Sequence, residues 1–234
     1  MLAGRQLVLT NGAGLQSVGI AEYVVMALLV GIKGFVELTK AQSRSEWRTA
    51  PPTLGELRGK RALIYGFGSI GRAIADRLRP FGVSVIGVRR HPGEEPGVIG
   101  DGDWETHLGR TDILILTVPL TAATRTLIGE RQLRELPTGA WVVNVARGAL
   151  VDETALVAAL KSEHLGGAYL DVTQTEPVPP DSELWLLPNL ILTPHCSWAS
   201  QRIDGKAARL FLENVDRYAR GDPMLNVVDL QAGY

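Results

Sequence analysis

Cysteine, net charge and long apolar runs are all scarce in this sequence of 234 residues. The single cysteine excludes an internal disulfide framework and is typical of a reducing compartment, so a cytoplasmic location is expected. A net charge of −1 provides no general attraction to nucleic acid or to an anionic membrane, and neither partner is expected. The apolar run at 23–32 is too short to span a bilayer. No residues are predicted to bind a metal ion.

The segment 59–91 contains the clearest motif. A short apolar run at 62–65 precedes three glycines spaced G-x-G-x-x-G, and a helical pattern and a second apolar run follow. The first glycine permits a tight turn, the second lets the backbone approach a pyrophosphate, and the third lets the helix pack on the strand. This context predicts a dinucleotide site rather than a plain structural turn. Its residues are Gly66, Gly68, Ser69, Ile70 and Gly71.

The residues after the second strand bear on the choice between NAD and NADP. An acidic residue there would bind the ribose 2′-hydroxyl of NAD. Arg89 and Arg90 stand there instead, and guanidinium groups suit a 2′-phosphate. A solvated basic loop is the alternative interpretation. We therefore predict that NADP is the preferred cofactor, with NAD possible.

Apolar runs alternate with helical patterns through most of the chain. This alternation is typical of an α/β fold with a doubly wound parallel sheet of the Rossmann type. The passage 92–103 is rich in turn residues, and no strand is expected there. Six strands are predicted, at 62–65, 83–88, 112–118, 141–145, 167–170 and 190–193.

Two long helices flank the predicted sheet. The first, at 17–47, carries a broad apolar stripe and is either a core helix or an arm that packs on a second subunit. The second lies at 199–220. We expect a dinucleotide-binding domain over 1–198 and a C-terminal return helix and tail over 199–234.

Three residues with complementary chemistry follow separate strands. Arg147 follows the fourth strand, Glu176 lies shortly after the fifth, and His195 follows the sixth, so all three belong at the carboxyl edge of the sheet. An arginine can bind the carboxylate of a 2-oxo acid and polarise its carbonyl group. A histidine can protonate the carbonyl oxygen as hydride arrives, while a glutamate stabilises the imidazolium. Singly, each residue could be a buried histidine or part of a structural ion pair; together they predict a catalytic site.

Other residues complete the expected site. The loop after the third strand should flank the cofactor through Val118, Pro119 and Thr124. Cys196 follows His195 and is expected to serve packing rather than nucleophilic chemistry. The remaining histidines are expected at the surface: His91, His107 and His164.

Several segments resemble a known family. N-V-A-R-G-A-L-V-D-E at 144–153, E-P at 176–177 and L-T-P-H at 192–195 are similar to motifs of the D-isomer-specific 2-hydroxyacid dehydrogenases. The glycine motif at 66–71 and N-V-V-D at 226–229 are also similar, so the resemblance extends over most of the chain.

The resemblance implies roles for particular residues. Arg147 would anchor the substrate, and Glu176 and His195 would form the acid/base dyad. The helix at 17–47 would be the family's dimer arm, which implies a homodimer. Cofactor contacts are implied at Val145, Ala146, Arg147, Asp171 and His195.

Two departures from the family pattern shape the expected function. Arg89 replaces the usual acid, as in members resembling the NADP-preferring glyoxylate/hydroxypyruvate reductases. The family's chain also begins with a substrate domain of roughly 100 residues, most of which has no counterpart here. We expect an oxidoreductase that transfers a hydride between NAD(P)H and a small 2-oxo or 2-hydroxy acid. The alternative is a non-catalytic dinucleotide-binding module or a truncated fragment; formate dehydrogenase ranks lower, because its pattern has glutamine in place of Glu176.

Overall fold

The computed structural model describes residues 8–50 and 54–230. Seven parallel strands form one sheet: β1 (Arg61–Tyr65), β2 (Ser84–Arg89), β3 (Val98–Gly100), β4 (Ile113–Leu116), β5 (Ala140–Asn144), β6 (Leu165–Leu170) and β7 (Leu190–Leu192). Their spatial order is β3-β2-β1-β4-β5-β6-β7. The predicted doubly wound Rossmann-type sheet is confirmed.

Helices bury both faces of this sheet. The described residues form six α-helices: α1 (Ser17–Ile32), α2 (Phe35–Ser43), α3 (Ser69–Leu78), α4 (Glu130–Glu135), α5 (Glu153–Lys161) and α6 (Ile203–Arg220). α1 and α3 pack together on one face, and α4 and α5 lie on the other. Neighbouring residues of β1 enter opposite cores, with Leu63 on the α5 side and Ile64 on the α3 side. Burial of both faces explains why the central strands are continuous apolar runs rather than alternating patterns.

The sequence prediction of one helix at 17–47 is wrong in its continuity. α1 ends at Ile32, and α2 begins at Phe35 after a bend of 68° between the two helices. Gly34 adopts a φ of +58° between them, a conformation that glycine reaches at little cost. The apolar stripe persists across the bend, so hydrophobic spacing alone did not reveal it. No single helix in the described ranges is long and apolar enough to cross a membrane, although the bent pair meets those criteria jointly.

The strand β3 was not predicted. Val98–Gly100 pairs in parallel with β2 and forms the edge of the sheet, within the passage expected to contain only turns. Three residues are too few for an alternating pattern to be recognised, and the pairing depends on the edge that β2 offers.

The C-terminal helix is shorter than expected and lies apart from the main core. α6 begins at Ile203 rather than at residue 199, and only Asn214 among its residues is buried. After α6, the chain returns to the N-terminal segment, where Thr10 pairs with Val227 and the Asn11 N–H donates to the Asn226 carbonyl at 3.0 Å. The domain boundary at 198/199 stays a prediction.

Candidate active site

The strand order reverses between β1 and β4, and the loops that leave these strands meet there. Gly66 adopts a φ of +105°, and a Cβ atom at this position would lie 2.7 Å from the carbonyl carbon of Thr117. The Thr117 hydroxyl donates a hydrogen bond to the Gly66 carbonyl. A crevice at such a reversal is where open α/β sheets bind nucleotides.

The other two glycines of the motif have different surroundings. A Cβ atom on Gly71 would lie 2.4 Å from the Gly66 carbonyl oxygen, so the third glycine allows α3 to pack against the turn. Gly68 has open space where its side chain would stand. It precedes α3, whose N-terminus receives no hydrogen bond from a capping side chain. Open space and uncapped N–H groups at Ser69 and Ile70 fit a bound pyrophosphate.

The end of β2 carries the predicted selectivity residues. Arg89 and Arg90 are both exposed there. Phe67, within the glycine motif, packs against Gly87 of β2 and donates its backbone N–H to Val88 at 2.9 Å. The end of β2, which carries Arg89 and Arg90, therefore lies next to the glycine turn, as a dinucleotide site requires.

His195 and Glu176 are brought together as expected. The imidazole Nδ1 lies 2.8 Å from Glu176 Oε2, and the two side chains are 41% and 38% exposed. Because Nδ1 is engaged, Nε2 is the ring nitrogen available for the predicted proton transfer. The other carboxylate oxygen, Glu176 Oε1, accepts the Thr173 N–H at 3.0 Å, which fixes the orientation of the carboxylate.

The backbone of His195 is strained and is held from both sides. Its φ is +51°, which costs a non-glycine residue about 1–2 kcal/mol. The His195 N–H donates to the Asp171 carbonyl at 2.8 Å, and the indole of Trp198 donates to the His195 carbonyl at 2.8 Å. Strain maintained by such bonds is typical of functional positions.

Asp171 anchors the same turn from within the core. Its carboxylate is only 2% exposed. It accepts hydrogen bonds from the Thr193 hydroxyl, the Cys196 N–H, and both the N–H and the hydroxyl of Ser197. The structure therefore gives Asp171 a positioning role, and the contact with the nicotinamide that the resemblance implies stays a prediction.

A second acid supports the loop that carries Glu176. The Glu153 carboxylate accepts the Gln174 N–H, and the Gln174 side chain donates to the Val151 carbonyl at 2.7 Å. Burial raises the pKa of Glu153, and the charge of Glu176 adds to this rise. The negative charge of Glu176 therefore makes ionisation of Glu153 less favourable.

Arg147 lies beside this loop but does not touch the dyad. A Cβ atom on Gly148 would lie 1.9 Å from the Thr173 carbonyl carbon, so the two loops are in direct contact. The Arg147 guanidinium is exposed and donates to the Ala146 carbonyl at 2.6 Å. Val145 and Ala146 are buried at the end of β5.

Some supporting residues were not predicted. Asn144 is fully buried and holds the Arg147 loop by accepting the Ala146 N–H at 3.1 Å and donating to the Arg147 carbonyl at 2.9 Å. A polar residue at the end of an apolar strand was the available signal. Thr193 and Ser197 lie on either side of His195 in the sequence. Their role is to donate hydrogen bonds to the buried Asp171 carboxylate.

The loop after β4 partly holds itself in place. The Thr124 hydroxyl donates to the Pro119 carbonyl at 2.8 Å and accepts the Thr121 N–H at 2.8 Å. Thr124 thus has a local structural role, and its predicted contact with the cofactor stays a prediction. Val118 is half-buried next to the glycine turn, and Pro119, which follows it, is exposed.

The remaining histidines and Cys196 differ in their surroundings. His91 is exposed as expected, but His107 and His164 are half-buried, and the prediction of surface positions for them is wrong. His164 Nε2 lies 3.0 Å from the Leu133 carbonyl oxygen, a contact between distant segments that the polar sequence context did not reveal. Cys196 is half-buried, with its sulfur 3.5 Å from the Tyr23 hydroxyl.

Residues 25–197 match the model of the D-isomer specific 2-hydroxyacid dehydrogenase NAD-binding domain. The chain belongs to this family. It is 34% identical to a glyoxylate reductase of Korarchaeum cryptofilum over 232 residues, which cover 96% of this chain and 70% of that protein. The enzyme therefore spans about 70% of the length of this relative.

Solved structures of the family have the same fold. A D-isomer specific 2-hydroxyacid dehydrogenase of Xanthobacter autotrophicus, in complex with NADPH and MES, matches with a TM-score of 0.83 and 33% identity, covering 98% of this chain and 95% of that one. An NADPH-dependent glyoxylate/hydroxypyruvate reductase of Sinorhizobium meliloti, in complex with NADP and sulfate, matches with a TM-score of 0.86 and 29% identity, covering 99% and 74%.

Membership of this family determines the class of reaction. The chain is an NAD(P)-dependent oxidoreductase that transfers a hydride between the nicotinamide cofactor and a small 2-oxo or 2-hydroxy acid. Family membership favours this activity over a non-catalytic dinucleotide-binding module.

Proposed function

We propose that the enzyme is an NADPH-preferring reductase of a small 2-oxo acid of the glyoxylate or hydroxypyruvate type. The observation that carries this proposal is the contact of 2.8 Å between His195 Nδ1 and Glu176 Oε2, at the sheet edge where the glycine turn opens. The glyoxylate reductase among the relatives and the NADPH-dependent reductase among the similar structures support the choice of substrate.

The residues of the site divide the work of the reaction. Bound NADPH supplies the hydride. Arg147 binds the substrate carboxylate and polarises the carbonyl group, which requires its guanidinium to turn away from the Ala146 carbonyl. His195 donates a proton from Nε2 to the carbonyl oxygen, and Glu176 stabilises the imidazolium before transfer.

The preference for NADPH rests on the basic end of β2. Arg89 and Arg90 would pair with the 2′-phosphate of the adenosine ribose. No acidic residue stands at 89–91 to accept a hydrogen bond from a 2′-hydroxyl. NAD can still occupy the glycine turn, because the pyrophosphate contacts do not depend on the 2′-substituent.

One experiment tests the reaction and its dyad. We expect oxidation of NADPH, followed by absorbance, in the presence of glyoxylate or hydroxypyruvate. His195→Gln should lower kcat by about 10²–10⁴-fold while cofactor affinity stays within about twofold, because general acid catalysis contributes factors of this size. His91→Gln, at an exposed histidine, is the matched control. Parallel loss of turnover and cofactor binding in His195→Gln would assign this histidine a structural role instead.

A second experiment tests the cofactor. Arg89→Asp combined with Arg90→Ala should shift relative affinity from NADPH toward NADH by at least about tenfold, since a charge-assisted pair is lost and a repulsion is added. Arg110→Asp is the control, because this exposed arginine precedes β4 at the opposite edge of the sheet. An unchanged ratio of affinities would contradict the proposed preference.

We also propose that the enzyme forms a homodimer through α1 and α2 and works in the cytoplasm. Apolar side chains on these helices are exposed in the single chain, including Met26 at 45% and Phe35 at 54%. Light scattering should give twice the chain mass, and Phe35→Glu should reduce it toward that of one chain. A monomer at micromolar concentration would refute the dimer.

The proposed cytoplasmic location rests on the single cysteine in the sequence, which is typical of a reducing compartment.

A further inference from the structure

An ion pair lies beside the proposed site for the adenosine ribose. Arg72 follows the third glycine of the motif, and its guanidinium donates a hydrogen bond to the Glu95 carboxylate. The guanidinium carbon also lies 5.3 Å from the centre of the Phe67 ring. The Arg72 and Glu95 side chains are 40% and 33% exposed, so the pair is partly withdrawn from water. It links the first turn of α3 to the loop that leaves β2.

Glu95 interacts with more than one cation. Its hydrogen bond with Arg72 holds the pKa of this carboxyl below its usual range, and the charges of Arg89 and Arg79 add to that effect. Glu95 is therefore ionised at neutral pH. Its field reaches Arg89, the same guanidinium that is proposed to bind a 2′-phosphate.

A carboxylate in this position affects the two cofactors differently. A 2′-phosphate carries about 1.5 to 2 negative charges at neutral pH, whereas a 2′-hydroxyl carries none. A carboxylate charge beside a 2′-phosphate repels it and competes with it for nearby guanidinium groups, but it has no such effect on a hydroxyl group. Neither Arg72 nor Glu95 was singled out by the sequence motif, because their pairing joins two loops.

We propose that Glu95 is a specificity-determining residue that limits the preference of this enzyme for NADP over NAD by engaging Arg72 and partly neutralising the arginines around it. This inference rests on the proposed NADPH preference. Removal of the Glu95 charge would leave the Arg72 guanidinium without this ion-pair partner, so that its positive charge adds to that of Arg89.

Direct binding measurements test this inference without requiring turnover. We expect Glu95→Gln to raise NADPH affinity by about threefold to tenfold and to leave NADH affinity within about twofold, as removal of one nearby negative charge would do in a partly exposed site. Fluorescence titration of both cofactors measures the ratio. Glu94→Gln is the matched control, because it removes the same charge from the neighbouring, exposed position of the same loop. The melting temperature of each variant verifies that it is folded.

The background variant Arg72→Gln shows whether Glu95 acts through its partner. In this background the gain from Glu95→Gln should shrink to less than half of its value in the parent chain. Equal gains for NADPH and NADH, or an equal effect of Glu94→Gln, would overturn the inference. These outcomes are distinct from failure of the proposed cofactor preference, which is read from the Arg89→Asp, Arg90→Ala variant alone.

Discussion

The buried carboxylate of Asp171 makes a strong prediction about stability. It accepts four hydrogen bonds, two on each oxygen, and it is 2% exposed. Asp171→Asn keeps the shape of the side chain but replaces one acceptor oxygen with a donor. In either orientation of the amide, the N–H of Cys196 or of Ser197 then loses its acceptor.

The magnitude follows from these bonds. One buried N–H left without an acceptor costs about 1–3 kcal/mol, and the remaining bonds lose the extra strength of a charged acceptor. Because the amide of asparagine is neutral, the cost of burying a charged carboxylate disappears, and this offsets part of the loss. We expect Asp171→Asn to lower the free energy of unfolding by about 2–4 kcal/mol. For a chain of this length, such a loss lowers Tm by about 4–16 °C.

Thermal and urea unfolding, followed by circular dichroism, measure this effect. Asp181→Asn makes the same change at an exposed position and should shift the free energy of unfolding by less than about 0.5 kcal/mol. Ser197→Ala removes only one of the four bonds, so its loss should be about 1 kcal/mol. A loss below about 1 kcal/mol in Asp171→Asn, or one equal to that of Asp181→Asn, would refute the anchoring role.

Three further predictions concern glycines and the second acid. Gly66→Ala should lower the free energy of unfolding by more than about 2 kcal/mol, because the φ of Gly66 is +105° and the new methyl group meets the Thr117 backbone. Gly68→Ala, in contrast, should leave Tm within about 2 °C but weaken NADPH binding by more than about tenfold. Gly31→Ala should lower stability by about 1–3 kcal/mol and alter tryptophan fluorescence, because its Cβ atom would lie 1.9 Å from the ring of Trp141. Since the folded-state pKa of Glu153 is raised, its ionisation disfavours folding as pH rises; urea titrations from pH 4 to pH 7.5 should therefore show the parent chain losing stability relative to Glu153→Gln.

The sheet and the dyad were accessible from sequence because they depend on local patterns. Six of the seven strands are continuous apolar runs, and parallel strands must bring their carboxyl ends to one edge. His195 and Glu176 could therefore be placed together before any distance was known. The bend at Gly34 and the strand β3 depend on tertiary contacts and on one positive φ, to which hydrophobic spacing is insensitive.

The positioning residues were less accessible for a similar reason. The role of Asp171 comes from Thr193 and Ser197, which approach it only after β7 has paired with β6. The pairing of Arg72 with Glu95 likewise requires the loop after β2 to fold back toward α3. Residue types at strand ends predict which groups take part in chemistry. The residues that hold those groups in position come from segments that are distant in sequence.

In the proposed reaction, two groups are already arranged in the structure and a third must move. The proposed proton-transfer dyad is held by contacts within the sheet and its edge loops: Asp171 fixes the turn of His195, and Thr173 fixes Glu176. Arg147, in contrast, is turned onto its neighbouring carbonyl group. A bound carboxylate has to compete with that hydrogen bond, and a charged acceptor forms the stronger bond with a guanidinium. Substrate binding should therefore reorient Arg147 with little change in the dyad, so that the proton donor is positioned before the substrate arrives.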